Sequence, residues 1–210
     1  MTRVLMLVEG PTERQFVTRT LAPHLEGSGV YCVPTTVTTR ENPAGPNNRG
    51  GFVKYGKLID ELNKLIGDAE AYTTTLFDFY EMTGREVGGT VEELEKKLQK
   101  DVYKSDRFIP YIQKFEFEAL LFASPDIASD ELAESAKTAE MRAILRECGE
   151  AENINDGNAT APSKRLKHLF NDYDKVVDGP IVLERIGIGA IREACPRFSE
   201  WTGKLEALGA

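Results

Sequence analysis

Apolar runs that end in acids alternate with amphipathic stretches through the first half of this chain, and that alternation leaves few folds open. Val4-Leu5-Met6-Leu7-Val8 leads into Glu9-Gly10-Pro11-Thr12-Glu13. Tyr72-Thr73-Thr74-Thr75-Leu76-Phe77 leads into Asp78, and Phe108-Ile109-Pro110-Tyr111-Ile112 leads towards Glu116 and Glu118. Thr12 with Gln15, and Thr90 with Glu93, have the spacing of capping boxes that open helices. The first of these helices carries Phe16, Val17, Leu21 and Leu25 on its apolar positions. The pattern predicts strands at 4–8, 30–37, 71–77 and 108–112, with helices near 12–26, 53–66 and 90–102. Strand and helix in alternation imply βαβ units and a mostly parallel sheet.

From Glu116 the chain reads as helix throughout, with segments at 116–123, 129–148, 162–171, 181–194 and 198–208 divided by Pro and Gly. Two loops stand out. Residues 40–51 are rich in Pro, Gly and Asn, and residues 153–162 are polar turn formers. The expected organisation is an α/β domain over 1–123 and a helical region over 124–210, packed on the sheet or beside it.

No apolar run approaches the roughly 18 residues of a membrane span. A strand starts just after Met1-Thr2-Arg3, which predicts no signal peptide and a cytoplasmic protein. Cys32, Cys148 and Cys195 are widely spaced and odd in number, unlike a zinc site or a disulfide framework. The net charge of −8 does not mark a nucleic-acid binder, but an acidic site filled by cations offsets that objection.

In an open α/β sheet, ligands bind beyond the carboxyl ends of the strands. Acids delivered there from separate strands suit Mg²⁺ or Mn²⁺, hard cations held by one or two carboxylates with waters and phosphate oxygens. Glu9 and Asp78 are the leading metal ligands, and each is also readable as an ordinary turn acid. Glu13 is readable as a further ligand or as a helix cap. Glu116 and Glu118 share a face if their segment is extended and diverge by about 200° if it is helical.

Arg49-Gly50-Gly51 with Lys54, and Lys164 with Arg165 at a helix start, are candidate phosphate contacts; a solvated loop and a solvated helix face are the alternatives. His24 and His168 have no triad or ligand partner in view. No Gly-x-Ser-x-Gly elbow and no Gly-x-x-x-x-Gly-Lys-Ser/Thr loop occurs, so the chain is not itself a P-loop ATPase. Gly187-Ile188-Gly189 resembles the hairpin of helix-hairpin-helix DNA modules, and Phe198 and Trp201 read as core residues of the last helix.

The segment Val4–Phe16 resembles the first motif of Toprim domains, particularly those of overcoming-lysogenization-defect nucleases. The resemblance is closer to a bacterial family known as domain of unknown function 4276. It runs through Arg49-Gly50-Gly51-Phe52-Val53-Lys54-Tyr55, Thr74–Tyr80, Phe108–Phe122, Asn155–Leu166 and Ile186–Arg192.

The likeness implies a Toprim-like mostly parallel sheet flanked by helices, with an α-helical C-terminal part. In that fold an acid after the first strand and an aspartate after a later one hold Mg²⁺, which matches Glu9 and Asp78 here. Toprim enzymes usually carry Asp-x-Asp after the later strand. This chain has Asp78-Phe79-Tyr80, so a second metal is lost or is held by Glu116 or Glu118. Phe117-Glu118-Ala119-Leu120-Leu121 resembles a segment of the same relatives, which favours Glu118.

The resemblance implies a Mg²⁺-dependent nuclease in anti-phage defence, with nucleic acid as substrate (DNA ahead of RNA) and a separate ATPase as partner. In that reading Glu9, Glu13, Asp78 and Glu118 are the catalytic set, while Arg49, Lys54, Lys164 and Arg165 position phosphate. Two rivals stand beside it: a non-catalytic binding subunit with a degenerate acidic site, and a phosphotransfer or phosphatase enzyme for small nucleotides.

Overall fold

The computed structural model describes residues 1–37, 55–79, 89–103, 105–154, 157 and 160–210. The expectations for Arg49, Lys54, Tyr80 and Glu81, and for most of the 155–159 loop, lie outside these residues.

Five strands form one parallel sheet: β1 (Thr2–Val8), β2 (Val30–Thr36), β3 (Ala71–Asp78), β4 (Phe108–Ile109) and β5 (Ile112–Gln113). Their order is β2-β1-β3-β4, with β5 also paired to β3. The chain therefore runs outward from β1 to β2, then crosses over β1 to continue with β3. This reversal is a topological switch point, and in doubly wound sheets the ligand crevice opens there, beyond the carboxyl ends of the strands. Val8 is level with Leu76 in the β1–β3 register, so Glu9 and Asp78 emerge at the same end of adjacent strands. Pro34 lies on β2, at the edge, where a missing N–H removes no ladder bond.

Helices cover both faces. The first is a continuous helical stretch made of α1 (Pro11–Phe16), a π turn (Val17–Leu21) and α2 (Ala22–Glu26). It packs on the face that carries Val4, Met6, Val8 and Leu76. On the opposite face α3 (Tyr55–Ile66) and α4 (Val91–Asp101) bury Leu58, Leu62, Ile66, Leu94 and Leu98 against Leu7 and Phe77. Strand alternation produces this division, since Leu7 and Phe77 point one way and Val8 and Leu76 the other.

Besides short 3₁₀ turns, the further helices among the described residues are a 3₁₀ segment (Phe117–Ala123), α5 (Pro125–Glu131), α6 (Thr138–Cys148), α7 (Pro162–Leu169), α8 (Asp178–Ala194) and α9 (Pro196–Glu206). They bury Leu120, Phe122, Met141, Leu166, Leu183, Ile191, Phe198 and Trp201 in the same core as β1, α1 and α2. Phe198 and Trp201 are core residues as expected, with Trp201 stacked on Tyr111 at a centroid distance of 4.3 Å.

Several boundaries differ from the sequence reading. The first helix begins at Pro11, and its cap is formed by Glu13, whose Oε2 accepts the Gly10 N–H at 2.9 Å; the Thr12–Gln15 pair does not cap it. Proline suits that first position because the N–H it lacks has no helical partner there. The strand expected at 108–112 is broken at Pro110 and Tyr111. The Thr75 hydroxyl takes over the pairing, donating to the Tyr111 carbonyl at 2.8 Å and accepting its N–H at 2.9 Å. The helix expected over 129–148 ends at Glu131, Ala133 has a positive φ of 57°, and α6 starts anew at Thr138. Within α8, Gly187 is non-helical at φ 78°, so the Gly187-Ile188-Gly189 segment is a kink between two helical halves.

Candidate acidic site at the switch point

Asp78 is the last residue of β3, and alternation gives it the Leu76 face, towards the C-terminal helices. Just beyond β5, Phe115 adopts a positive φ of 64°, rare for a bulky residue. That turn is followed by Glu116 in extended backbone and by the 3₁₀ segment, whose second residue is Glu118. Glu116 and Glu118 are thus delivered in different backbone conformations.

Asp78 and Glu118 are only 2% and 1% exposed. Between them lies a lysine that the sequence reading missed. Lys175 Nζ is 3.1 Å from Glu118 Oε2 and 3.7 Å from Asp78 Oδ2. The Glu118 contact is a close ion pair. Burial raises the Glu118 carboxyl above its ordinary value; Lys175 opposes that shift and Glu116 adds to it. Tyr173, on the same loop, is nearly buried, and its hydroxyl has no hydrogen-bond partner among the described residues. Burial, then the Glu118 charge, raises the Tyr173 phenol, which keeps it a protonated donor.

The other acids are held differently. Glu13 is buried and caps α1 through Gly10 N, which fixes the turn that follows Glu9. Glu9 is half-buried directly after β1. Glu116 Oε2 accepts the Ser163 N–H at 2.8 Å, a carboxylate at the start of α7 where the helix leaves its first N–H groups unpaired. Lys164 is exposed on that first turn. Arg165 is largely buried and donates from Nε to the Thr160 carbonyl at 2.8 Å.

Among the described residues, no three His, Cys, Asp or Glu side chains are grouped to hold a metal ion. A closed, all-protein metal cage is therefore not built from Glu9, Glu13, Asp78, Glu116 and Glu118. What is built is a pair of buried carboxylates already sharing one cation. That donor set fits a hard divalent ion bound through two carboxylates and completed by waters and phosphate oxygens.

A further buried acid lies away from this pair. Glu152 accepts the N–H groups of Arg197 and Phe198 at 2.9 and 3.2 Å, capping α9, and burial raises its carboxyl. Among the described residues, no helix is long and apolar enough to cross a membrane.

Residues 8–206 match the model of a family described as Domain of unknown function (DUF4276). Among solved structures, the C-terminal region of the Xanthomonas campestris pv. campestris OLD protein is similar at 14% identity and a TM-score of 0.36, covering 97% of each chain. No curated protein matches the chain.

Proposed function

We propose, from the premise that the chain belongs to the DUF4276 family, that it is a Mg²⁺- or Mn²⁺-dependent nuclease acting at the Asp78–Glu118 pair. The observation that carries this reading is two carboxylates, almost wholly buried, sharing one cation beyond the end of a parallel sheet at its switch point. Burying two like charges together is costly. A buried titratable group shifted by burial and by a specific charged partner is a candidate functional group.

Asp78 and Glu118 would hold the ion, with Glu9 at the end of the neighbouring strand as a further ligand. When bound, such an ion polarises a phosphoryl oxygen and lowers the pKa of its water. Lys175, between these acids, and the Tyr173 hydroxyl, which feels the Glu118 charge, would meet phosphate oxygens. Lys164, exposed on the first turn of α7, would bind phosphate farther along a strand. The Toprim resemblance of Val4–Phe16 and Phe117–Leu121 supports nucleic acid as substrate, and a setting in anti-phage defence beside a separate ATPase.

Incubation of the protein with plasmid DNA and mixed RNA, in Mg²⁺, Mn²⁺ or EDTA, tests the reading. Cleavage should need the metal and vanish in Asp78→Ala. Cleavage that persists in Asp78→Ala would sink it. A specific observation also favours a second reading: an ammonium already occupies the cation position, as in an acidic site that has lost catalysis and serves binding alone. In that case no metal yields cleavage, and Asp78→Ala keeps the protein's biological effect.

A further inference from the structure

We propose that Lys175 is the resting cation of the acidic pair: its ammonium holds the place between Asp78 and Glu118 that a divalent ion takes on loading, and it swings out as that ion binds. This inference rests on the metal-site reading of those two carboxylates.

Three features of the loop support it. First, Lys175 reaches both acids at once, 3.1 Å from Glu118 and 3.7 Å from Asp78, so one positive charge screens two buried negative ones. A divalent ion would neutralise both, and the ammonium would then face a cation at contact distance. The two cannot share the place.

Second, the backbone that carries Lys175 is pinned. Asp174 Oδ1 accepts the N–H groups of Val176 and Val177 at 2.8 and 3.1 Å, and Asp174 N donates to Asp178 Oδ2 at 2.7 Å. Gln15 Nε2 donates to the Val176 carbonyl at 3.3 Å, tying the loop to α1. Exchange of cations therefore needs a rotation of one flexible four-carbon side chain and no opening of the fold.

Third, the exit is present. The Lys175 side chain is 32% exposed, next to exposed Val176 and Val177, while the acids it holds are sealed.

A competitor that must be displaced lowers apparent affinity in proportion to the fraction of time the site is free of it. Lys175→Met removes the competitor and should tighten Mn²⁺ binding at least about tenfold, the equivalent of about 1.4 kcal/mol. Lys175→Arg keeps a cation with a planar fork suited to carboxylates, and should bind Mn²⁺ no more tightly than wild type.

Free Mn²⁺ measured by electron paramagnetic resonance during titration of the full chain reads this without any substrate. Wild type, Lys175→Met, Lys175→Gln, Lys175→Arg and Asp78→Ala are compared at one pH and ionic strength, with circular dichroism confirming the fold of each. Glutamine stands in if methionine does not fold, with the same expected gain. Tightening in Lys175→Met or Lys175→Gln, with binding lost in Asp78→Ala, supports the proposal. Equal or weaker binding in both neutral variants overturns it while leaving the metal site in place. Absence of binding in wild type and both neutral variants, or retention in Asp78→Ala, overturns the metal-site reading and this inference with it.

Discussion

Replacing Glu118 by glutamine keeps the size of the side chain and removes its charge, and the metal-free protein should gain about 1 kcal/mol of stability. The reasoning starts from burial. Glu118 is 1% exposed, and moving a carboxylate out of water costs several kcal/mol even after relaxation. Against this stands one ammonium at 3.1 Å, worth at most roughly 5 kcal/mol at an effective dielectric constant of about 20, and less because Lys175 is partly solvated. Burial outweighs that attraction, since the Glu118 carboxyl is raised despite the lysine.

In Glu118→Gln, Lys175 keeps Asp78 as a partner, so no lone charge is left behind. The sign with pH follows. An acid raised on folding contributes stability that is complete below its ordinary value of 4.5 and is lost as pH rises through the folded value. The advantage of the glutamine variant should thus be near zero in acid and grow towards neutral pH. Urea denaturation in EDTA, followed by far-ultraviolet circular dichroism at several pH values, measures it. A variant less stable than wild type by 1 kcal/mol or more at neutral pH would refute the reasoning and make the Glu118–Lys175 bridge a net support of the fold. A stabilised variant without cleavage activity would mark Glu118 as a residue kept for function at a cost to stability.

Trp201 donates its indole N–H to Thr74 Oγ1 at 2.8 Å, inside the core. Trp201→Phe should cost about 2 kcal/mol in urea denaturation, from the lost bond and the cavity together. Circular dichroism must report it, because Trp201 is the single tryptophan of the chain. Glu152 is another acid raised by burial, so its contribution is also complete below 4.5 and declines as pH rises through its folded value. Glu152→Gln should flatten that part of the stability–pH profile, seen as a smaller fall in melting temperature from acid to neutral pH. Lys164→Ala should reduce the slope of log K against log salt for nucleic acid by about one unit and leave stability unchanged. Arg165→Ala should instead lower the melting temperature, since its guanidinium is bonded to the Thr160 carbonyl.

The parts of the fold that depend on local pattern were legible in the sequence. Runs such as Val4–Val8 and Tyr72–Phe77 announce strands because β-branched and apolar residues suit a buried pleat, and their order with helices between them implies a parallel sheet. The position of Asp78 at the carboxyl end of β3 was legible for the same reason, being set by the strand it ends.

What escaped depends on distant partners. Lys175 lies far along the chain from both acids, in a loop whose residues Asp172-Tyr173-Asp174-Lys175 look like any polar turn. No local spacing marks it. Glu116 reads as a possible ligand from its neighbourhood, while its bond to Ser163 is fixed only by the packing of α7. Pro110, by contrast, was a readable signal: a proline inside a strand pattern argues for a break, and the break is there.

The order in which the chain emerges during synthesis acquires a meaning from the shared core. Asp78 and Glu118 belong to the first 123 residues, whereas Lys175, Ser163 and most of the apolar cover for the Leu76 face come later. A nascent chain that has reached Ala123 holds two acids with no lysine between them, and its Leu76 face has α1 and α2 but none of the helices α5 to α9. Such an intermediate is open to aggregation and to chaperone capture. Lys175 can reach the acidic pair only after residue 175 has emerged, so a product truncated before it would carry both acids without the cation that lies between them.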